Sequence, residues 1–263
     1  MNERGEVINL DQINLLGQCG DGFPHLQHFG QPCPYPKPPE GRRRCVGLDL
    51  ARIRVMNPDV ADVRVALIRQ WELIADAIEL IELSEASRCT GWTNREVLAH
   101  LYVQPHLVAR FLRSESADAA VLGITENLSG TRSFSEMIDA SAREGASMNK
   151  VELRGPLDAV RRLVLVADLD ATITTLQGSI SVSDYLVTRC VEAVVHGSDL
   201  VPSVSPDPSA QAITSKALLE TLSASAPELV AEAAALPVER WIDLATGRSR
   251  AMGRLADVLP VMV

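Results

Sequence analysis

Apolar residues recur at three- and four-residue intervals along several long segments of the chain, which is the pattern of helices that bury one side. The first of these segments predicts a helix over 57–83, with a proline and an aspartate in its first turn. The second predicts a helix over 93–113, because Thr93 and Glu96 form a capping-box pattern. The chain is therefore expected to be mainly helical.

The elements predicted in the middle of the chain are shorter and less regular. Residues 114–132 are small and polar and are expected to form a loop with one short helical piece. The pattern Ser-Phe-Ser-Glu predicts a capping box that opens a helix over 133–147, and Gly155-Pro156 opens a longer helix. The segment around Gly178 is expected to be extended or turn-like. Ser183 is then the expected N-cap of the next helix.

The two ends of the chain differ from its middle in composition and in hydrophobic pattern. Residues 1–56 contain many prolines and glycines without an amphipathic period, and they are predicted to be an irregular extension. Residues 57–200 are predicted to form the helical domain. The remainder, 201–263, starts with a proline-rich linker at 201–208 and is expected to be a short helical appendage packed on the bundle. Its predicted helices are Ala210–Leu222, Pro227–Ala235 and Val238–Ala245.

The composition of the chain argues against some classes of binding partner. The chain has 25 Lys and Arg against 34 Asp and Glu, a formal net charge of −9, which argues against a surface that neutralises nucleic-acid phosphates. No apolar run approaches the roughly 18 residues of a transmembrane helix, and no signal peptide is recognisable, so a cytoplasmic location without membrane contact is expected. Five cysteines without close pairs predict reduced thiols.

Candidate chemistry is concentrated in Thr188-Arg-Cys-Val-Glu-Ala-Val-Val-His-Gly-Ser-Asp-Leu200. Glu192 and His196 are four residues apart, so on a helix they lie one turn apart and can bind one ion. A catalytic metal usually has three protein ligands and one open position, so a third ligand is required. Asp199 is the expected hydrogen-bond partner that orients His196. Arg189 could instead pair with Glu192 and compete with the metal.

The third ligand is expected to be a histidine. Of the five in the chain, His25 and His28 belong to the irregular extension, which leaves His100 and His106. These two are about 120° apart around a helix axis and cannot share an ion. His100 lies on the apolar side of its helix, whereas His106 follows the helix-disturbing Pro105. His100 is therefore the predicted third ligand.

Two blocks of the sequence resemble a known family. The segment Cys89-Thr-Gly-Trp-Thr-Asn-Arg-Glu-Val-Leu-Ala-His100 and the segment 188–200 quoted above resemble, in order and separation, blocks of the mycothiol-dependent maleylpyruvate isomerase-like proteins, a branch of the DinB-like metal-binding families. The resemblance covers about residues 59–200, and a weaker similarity is present at residues 241–248. One departure is Ser198, where the family often has Trp, and this affects the expected pocket wall.

The resemblance implies an all-α fold, a DinB-like four-helix bundle. It also implies that His100, Glu192 and His196 bind a divalent metal, most simply zinc, and that the open coordination position receives mycothiol. The implied activity is addition of the thiol to an electrophilic small molecule, as an isomerase or an S-transferase. In the family a basic residue from the C-terminal part helps to bind an acidic substrate. The possible equivalents here are Arg248, Arg250 and Arg254.

Two alternatives to this activity remain open at the level of sequence. A scaffold can keep its metal after losing its substrate, so the protein could be a non-catalytic metal- or thiol-binding module. A metal-dependent hydrolase would use bound hydroxide and require no thiol. Dependence of turnover on mycothiol distinguishes all three possibilities.

Overall fold

A computed structural model describes residues 62–114 and 121–262 of the chain. Its helices, in chain order, are α1 Val63–Ala77, α2 Asn94–Phe111, α3 Ile124–Gly130, α4 Ser135–Ser147, α5 Arg154–Leu165, α6 Val182–Asp199, α7 Pro208–Ser225, α8 Val230–Ala234 and α9 Val238–Ala245. Its strands are β1 Val121–Leu122, β2 Thr172–Thr174 and β3 Ser179–Ser181. Short 3₁₀ segments lie at Ile78–Leu80, Thr131–Phe134, Pro227–Leu229 and Gly253–Asp257.

Four of the helices form a closed bundle. Both α1 and α2 pack against α5 and α6, while α4 covers the outer side of α2 and α7 packs along α6 and α1. The interior is filled by apolar side chains from all four helices, including the fully buried Trp71, Leu98, Leu157 and Leu186. The expected all-α fold with a helical C-terminal part is confirmed, with one small sheet added to it.

The first two helices begin at polar caps. Asp62 precedes α1 and its side chain accepts a hydrogen bond from the Arg64 backbone N–H at 2.9 Å. The start predicted at 57 lies outside the described residues, and α1 ends at Ala77 instead of 83 because a 3₁₀ turn and then extended backbone follow. The capping box of Thr93 and Glu96 is present at the start of α2, which ends two residues before the predicted 113.

Two predicted caps are wrong. The capping box expected at Ser133 does not open α4, because 131–134 form a 3₁₀ turn that continues directly into the helix at Ser135. Ser183 does not cap α6. The cap is Ser181, the last residue of β3, whose hydroxyl accepts from the Asp184 backbone N–H at 3.0 Å.

The segment expected to be extended is a β-hairpin. β2 pairs antiparallel with β3, with Ile173 opposite Ile180, and the connecting turn contains Gly178 at a φ of +134°. β1 adds to the other side of β3 in parallel, so the strand order is β1-β3-β2. The hairpin ends where α6 begins and therefore fixes the first turn of that helix.

The C-terminal part contains three helices between Pro208 and Ala245, and residues 246–262 form turns, irregular backbone and one 3₁₀ segment. Asp207 caps α7 by accepting from the backbone N–H groups of Ser209 and Ala210, and the linker before it is held by a hydrogen bond from Val204 N–H to the Gly197 carbonyl at 3.0 Å. Across 62–114 and 121–262, every helix is too short or too polar to span a bilayer.

Candidate metal centre

The three predicted ligands lie together between α2 and α6. His100 projects from α2, beside the buried Val97 and Leu101, and Glu192 and His196 project from α6 one turn apart. The Nε2 atom of His100 is 3.1 Å from Oε2 of Glu192, and Nε2 of His196 is 3.4 Å from the same oxygen. One potential ligand atom from each side chain lies within 4.8 Å of the others.

Close packing of α6 on α1 contributes to this placement. A Cβ atom at Gly197 would lie 3.2 Å from Nε2 of Gln70 and 3.4 Å from side-chain carbons of Ile74. Glycine at this position allows this close contact, because any side chain would require Gln70 or Ile74 to shift by a few tenths of an ångström. His196 is the residue before Gly197, so the turn of α6 that carries the imidazole is closely packed against α1.

Asp199 holds His196 from behind. Its Oδ2 atom accepts a hydrogen bond from Nδ1 of His196 at 2.9 Å, which leaves Nε2 directed toward Glu192. Burial works against the imidazolium, but the hydrogen bonds to Asp199 and Glu192 outweigh it and raise the pKa of His196 to about 9. Burial likewise works against the Asp199 carboxylate, yet His196 and Arg248 lower its pKa to about 2.

His100 contacts the neutral amide of Gln104 in addition to the Glu192 carboxylate. Nε2 of Gln104 lies 3.1 Å from Nε2 of His100, and Oε1 of Gln104 accepts from Nη1 of Arg189 at 2.6 Å. The pKa of His100 is lowered, mainly by burial, against the opposing effect of Glu192. The alternative pairing of Arg189 with Glu192 is therefore wrong: within the described residues, the guanidinium binds Gln104 and lies over the Tyr185 ring.

Glu192 is the charged member between the two imidazoles. Its side chain is only 6% exposed, and burial alone would raise its pKa. Hydrogen bonds from His100 and His196 instead hold the pKa well below the usual value of a glutamate. The carboxylate is therefore ionised at neutral pH and available as an oxygen ligand.

The cluster opens into a pocket of about 850 Å³. His100, Glu192 and His196 contribute to its lining, α4 contributes Ile138, and the segment that follows α9 contributes Arg248. This volume lies within the roughly 300–1,000 Å³ of small-molecule sites. Ser198, the departure noted in the sequence, is not part of the lining, and its hydroxyl donates to the Val195 carbonyl within α6 at 2.7 Å.

Trp92 is a pocket residue for which no role at the site was predicted. Its ring stacks beside His196, with centroids 6.1 Å apart and planes inclined by 22°, and it lies 5.7 Å from the His100 ring. The indole Nε1 donates to Oδ1 of Asp139 on α4 at 2.7 Å. The available signal was its place in the Gly-Trp-Thr block, immediately before the cap of α2.

The two cysteines in the described part of the chain both have thiols with a raised pKa. Cys89 lines the pocket, but burial first, and then the negative charge of Asp199, raise the pKa of its thiol. Cys190 is fully buried and its pKa is raised to about 12 by burial. Both thiols are therefore protonated at neutral pH.

The three candidate arginines have different surroundings. Arg248 forms a bidentate ion pair with Asp199, and Arg254 lies 3.9 Å from Glu232 and outside the pocket. Arg250 is exposed, lines the pocket and has no hydrogen-bond or ion-pair partner among the described residues. Only Arg250 therefore offers the pocket an uncompensated positive charge among these three.

Comparison with known proteins agrees with the resemblance seen in the sequence. A family model described as the mycothiol maleylpyruvate isomerase N-terminal domain matches residues 65–201, more than half of the chain. Among solved structures, the crystal structure of the mycothiol-dependent maleylpyruvate isomerase matches with 15% identity and a TM-score of 0.41, over 62% of this chain and 70% of that one. A search of curated proteins gave no match. The chain thus belongs to the mycothiol maleylpyruvate isomerase family, and residues 65–201 are its N-terminal domain.

Proposed function

We propose that the protein is a mycothiol-dependent metalloenzyme that activates the thiol for addition to an electrophilic small molecule, as an isomerase or an S-transferase. The observation that supports this most strongly is the position of the His100, Glu192 and His196 cluster in the lining of an open pocket of about 850 Å³. A buried cluster of structural ion pairs would not require access to such a pocket.

The donor atoms suit a divalent metal, and we propose zinc. Two imidazole nitrogens and one carboxylate oxygen are a ligand set of catalytic zinc sites, which keep a fourth position open. Bond lengths of about 2.0–2.2 Å in a tetrahedral site separate neighbouring ligand atoms by about 3.3–3.6 Å. The separations of 3.1 and 3.4 Å between Glu192 and the two imidazoles are close to this range, and all three ligand atoms lie within 4.8 Å of one another.

A metal ion bound here would deprotonate a coordinated thiol and so supply a thiolate at neutral pH. The protein side chains have complementary roles. Glu192 supplies one negative charge, so the centre keeps a net positive charge of about one with two neutral imidazoles. Asp199 keeps the Nε2 atom of His196 directed at the cluster, and Trp92 restricts the movement of that ring from the pocket side.

Arg250 gives the pocket a preference for an anionic electrophile. It is the arginine whose charge is uncompensated, whereas Arg248 is occupied by Asp199. A guanidinium binds a carboxylate with paired hydrogen bonds, worth about 1.5–3 kcal/mol each when charge-assisted. We therefore expect Arg250→Met to raise KM for a carboxylate-bearing electrophile at least tenfold with little change in kcat. Arg254→Met is the matched control and should leave both constants at the parent values.

The experiment that tests the proposed function measures turnover of zinc-loaded protein with a carboxylate-bearing electrophile, with and without mycothiol. We expect turnover that requires both zinc and mycothiol and is lost in His100→Ala. The control is His106→Ala, on the same helix but outside the pocket, which should retain parent activity. Turnover without thiol would support the hydrolase instead, and no turnover in either condition would support a non-catalytic module.

A further inference from the structure

Asp199 is shared between two elements that are far apart in sequence. Its Oδ2 atom accepts from Nδ1 of His196 at 2.9 Å and from Nη2 of Arg248 at 2.7 Å, while Oδ1 accepts from Nε of Arg248 at 3.0 Å. The side chain of Asp199 is fully buried and that of Arg248 is 12% exposed. The carboxylate orientation is therefore determined jointly by His196 and Arg248.

The backbone around Arg248 is itself fixed. Gly247, two residues after the end of α9, adopts a φ of +75°, and the Arg248 backbone N–H donates to the Asp243 carbonyl at 2.8 Å. The third guanidinium nitrogen, Nη1, donates to the Thr246 carbonyl at 2.6 Å. Arg248 thus reaches the end of α6 from a turn that is held by hydrogen bonds. All three guanidinium nitrogens have partners, so the guanidinium is fixed in its position against Asp199.

We propose that Arg248 is a positioning residue of the metal centre, which acts through Asp199 to hold His196 and thereby makes the C-terminal segment part of the site. This inference rests on the proposed metal-binding function. Arg248 does not face the cluster directly, because Asp199 lies between it and His196. Its contribution is to prevent rotation of the carboxylate that orients the imidazole.

The shape of the guanidinium matters in this role as well as its charge. Two parallel hydrogen bonds from Nε and Nη2 define the plane of the carboxylate, whereas a lysine ammonium at this position would keep the charge but not the plane. A residue that only neutralised the buried Asp199 would tolerate lysine. A residue that fixes the orientation of Asp199 would not.

The same ion pair also fixes the pocket wall. Residues 246–251 line the pocket and include Arg250, two positions after Arg248. Loop 84–92 is attached to the same point, since the Arg88 backbone N–H donates to the Asp199 carbonyl at 2.8 Å and its guanidinium binds Asp243. The end of α6, the loop before α2 and the C-terminal segment therefore converge on Asp199.

The test is a zinc-affinity measurement by competition with a chromophoric chelator at fixed pH. The variants are Arg248→Lys, Arg248→Met, Asp199→Asn and the double variant that combines the last two. Arg254→Lys, a conservative change on the same segment outside the pocket, is the matched control. Urea unfolding of the metal-free proteins is measured in parallel, so that a general loss of stability is separated from a loss of zinc affinity.

We expect Arg248→Lys to bind zinc at least tenfold more weakly than the parent, within the 10- to 100-fold effect of partners behind a metal ligand. Arg254→Lys should keep a zinc affinity within about twofold of the parent value, well below the typical effect of a partner behind a metal ligand. Because Arg248 acts through Asp199, the double variant should bind no more weakly than Asp199→Asn alone, so the two effects are not additive.

Parent-like zinc affinity in Arg248→Lys would overturn the inference, even if its metal-free form were less stable. Additive losses in the double variant would overturn it as well, because Arg248 would then act by another route. If Arg248→Met fails to fold, the lysine variant still decides the question. A parent protein that binds no zinc would overturn the proposed function itself, which distinguishes that failure from failure of this inference.

Discussion

His100 and His196 face the same carboxylate oxygen of Glu192, but the other polar partners of the two rings differ in charge. His196 has the ionised Asp199 behind it, followed by Arg248, whereas His100 has the neutral amide of Gln104 beside it. The pKa of His196 is raised to about 9, and that of His100 is lowered. In the metal-free protein at neutral pH, His196 therefore carries a proton and His100 does not.

This difference in protonation gives the two histidines of the cluster different roles. Charged His196 compensates two buried carboxylates, Glu192 and Asp199, so it stabilises the fold before any metal is bound. Neutral His100 is already in the form that binds a metal. One ligand must lose a proton on metal binding and the other need not.

The largest expected effect comes from replacing each histidine by alanine in the metal-free protein. His196→Ala leaves the buried Glu192 carboxylate without its cation, while Asp199 keeps Arg248, and should lower the free energy of unfolding by about 3–5 kcal/mol. His100→Ala removes a neutral hydrogen-bonding partner and should cost about 1–3 kcal/mol beyond the cavity that both variants share. Urea unfolding at pH 7 measures both values.

His106→Ala is the control for this pair and should stay near the parent stability, since its Nε2 atom has no hydrogen-bond partner in the described part of the chain. An equal or larger loss in His100→Ala than in His196→Ala would contradict the assigned difference in charge.

The next effect is on the pH dependence of zinc binding. Because His196 must release one proton below its pKa of about 9, the zinc affinity should rise about tenfold per pH unit between pH 6.5 and 8.5. Calorimetry in buffers of different ionisation enthalpy should detect release of about one proton per zinc. An affinity that does not change over this range would mean that His196 is already neutral.

Stability of the metal-free protein should change in the opposite direction. The folded pKa of His196, about 9, is above the value of about 6.5 for a free imidazole. The stabilisation from its charge is therefore complete below pH 6.5 and is lost as the pH rises through 9. Urea unfolding across this range should show a progressive decrease that is absent in His196→Ala.

The smallest effects are expected from the other polar partners of the two histidines. Asp199→Asn should weaken zinc binding about 10- to 100-fold, because the anion that orients His196 is lost. Gln104→Met should change the zinc affinity by less than about tenfold, because the Gln104 amide contacts Nε2 of His100, the nitrogen that faces the cluster, and does not orient the ring from its opposite side. Competition titrations measure both affinities, and a larger effect at Gln104 would reverse the comparison between the two sides.

The parts of this picture that depend on local spacing were predictable from sequence. The capping box at Thr93 was correct because its hydrogen bonds lie within four residues. The spacing of Glu192 and His196 directs both side chains to one side of α6 for the same reason. The choice of His100 over His106 required only the apolar side of one helix, and the structure brings His100 to the cluster.

The predictions were wrong where several local hydrogen-bonding arrangements compete. Ser181 and Ser183 are both suitable N-caps, and the end of β3 decides for Ser181, a pairing that no local pattern reveals. At Ser133 a 3₁₀ turn supplied the backbone partners that a capping box would otherwise provide. The contact of Arg248 with Asp199 joins residues 49 positions apart, so only the folded chain identifies which arginine is paired.

The proposed function requires that His100, Glu192 and His196 bind one divalent metal at the pocket. The most direct test is a crystal structure of the zinc-loaded protein with anomalous scattering recorded at the zinc edge. We predict one peak about 2.0–2.2 Å from a nitrogen of each histidine and from a Glu192 oxygen, with the remaining position facing the pocket. A zinc peak elsewhere, or no peak between α2 and α6 in zinc-loaded crystals, would show that these three residues are not the metal site.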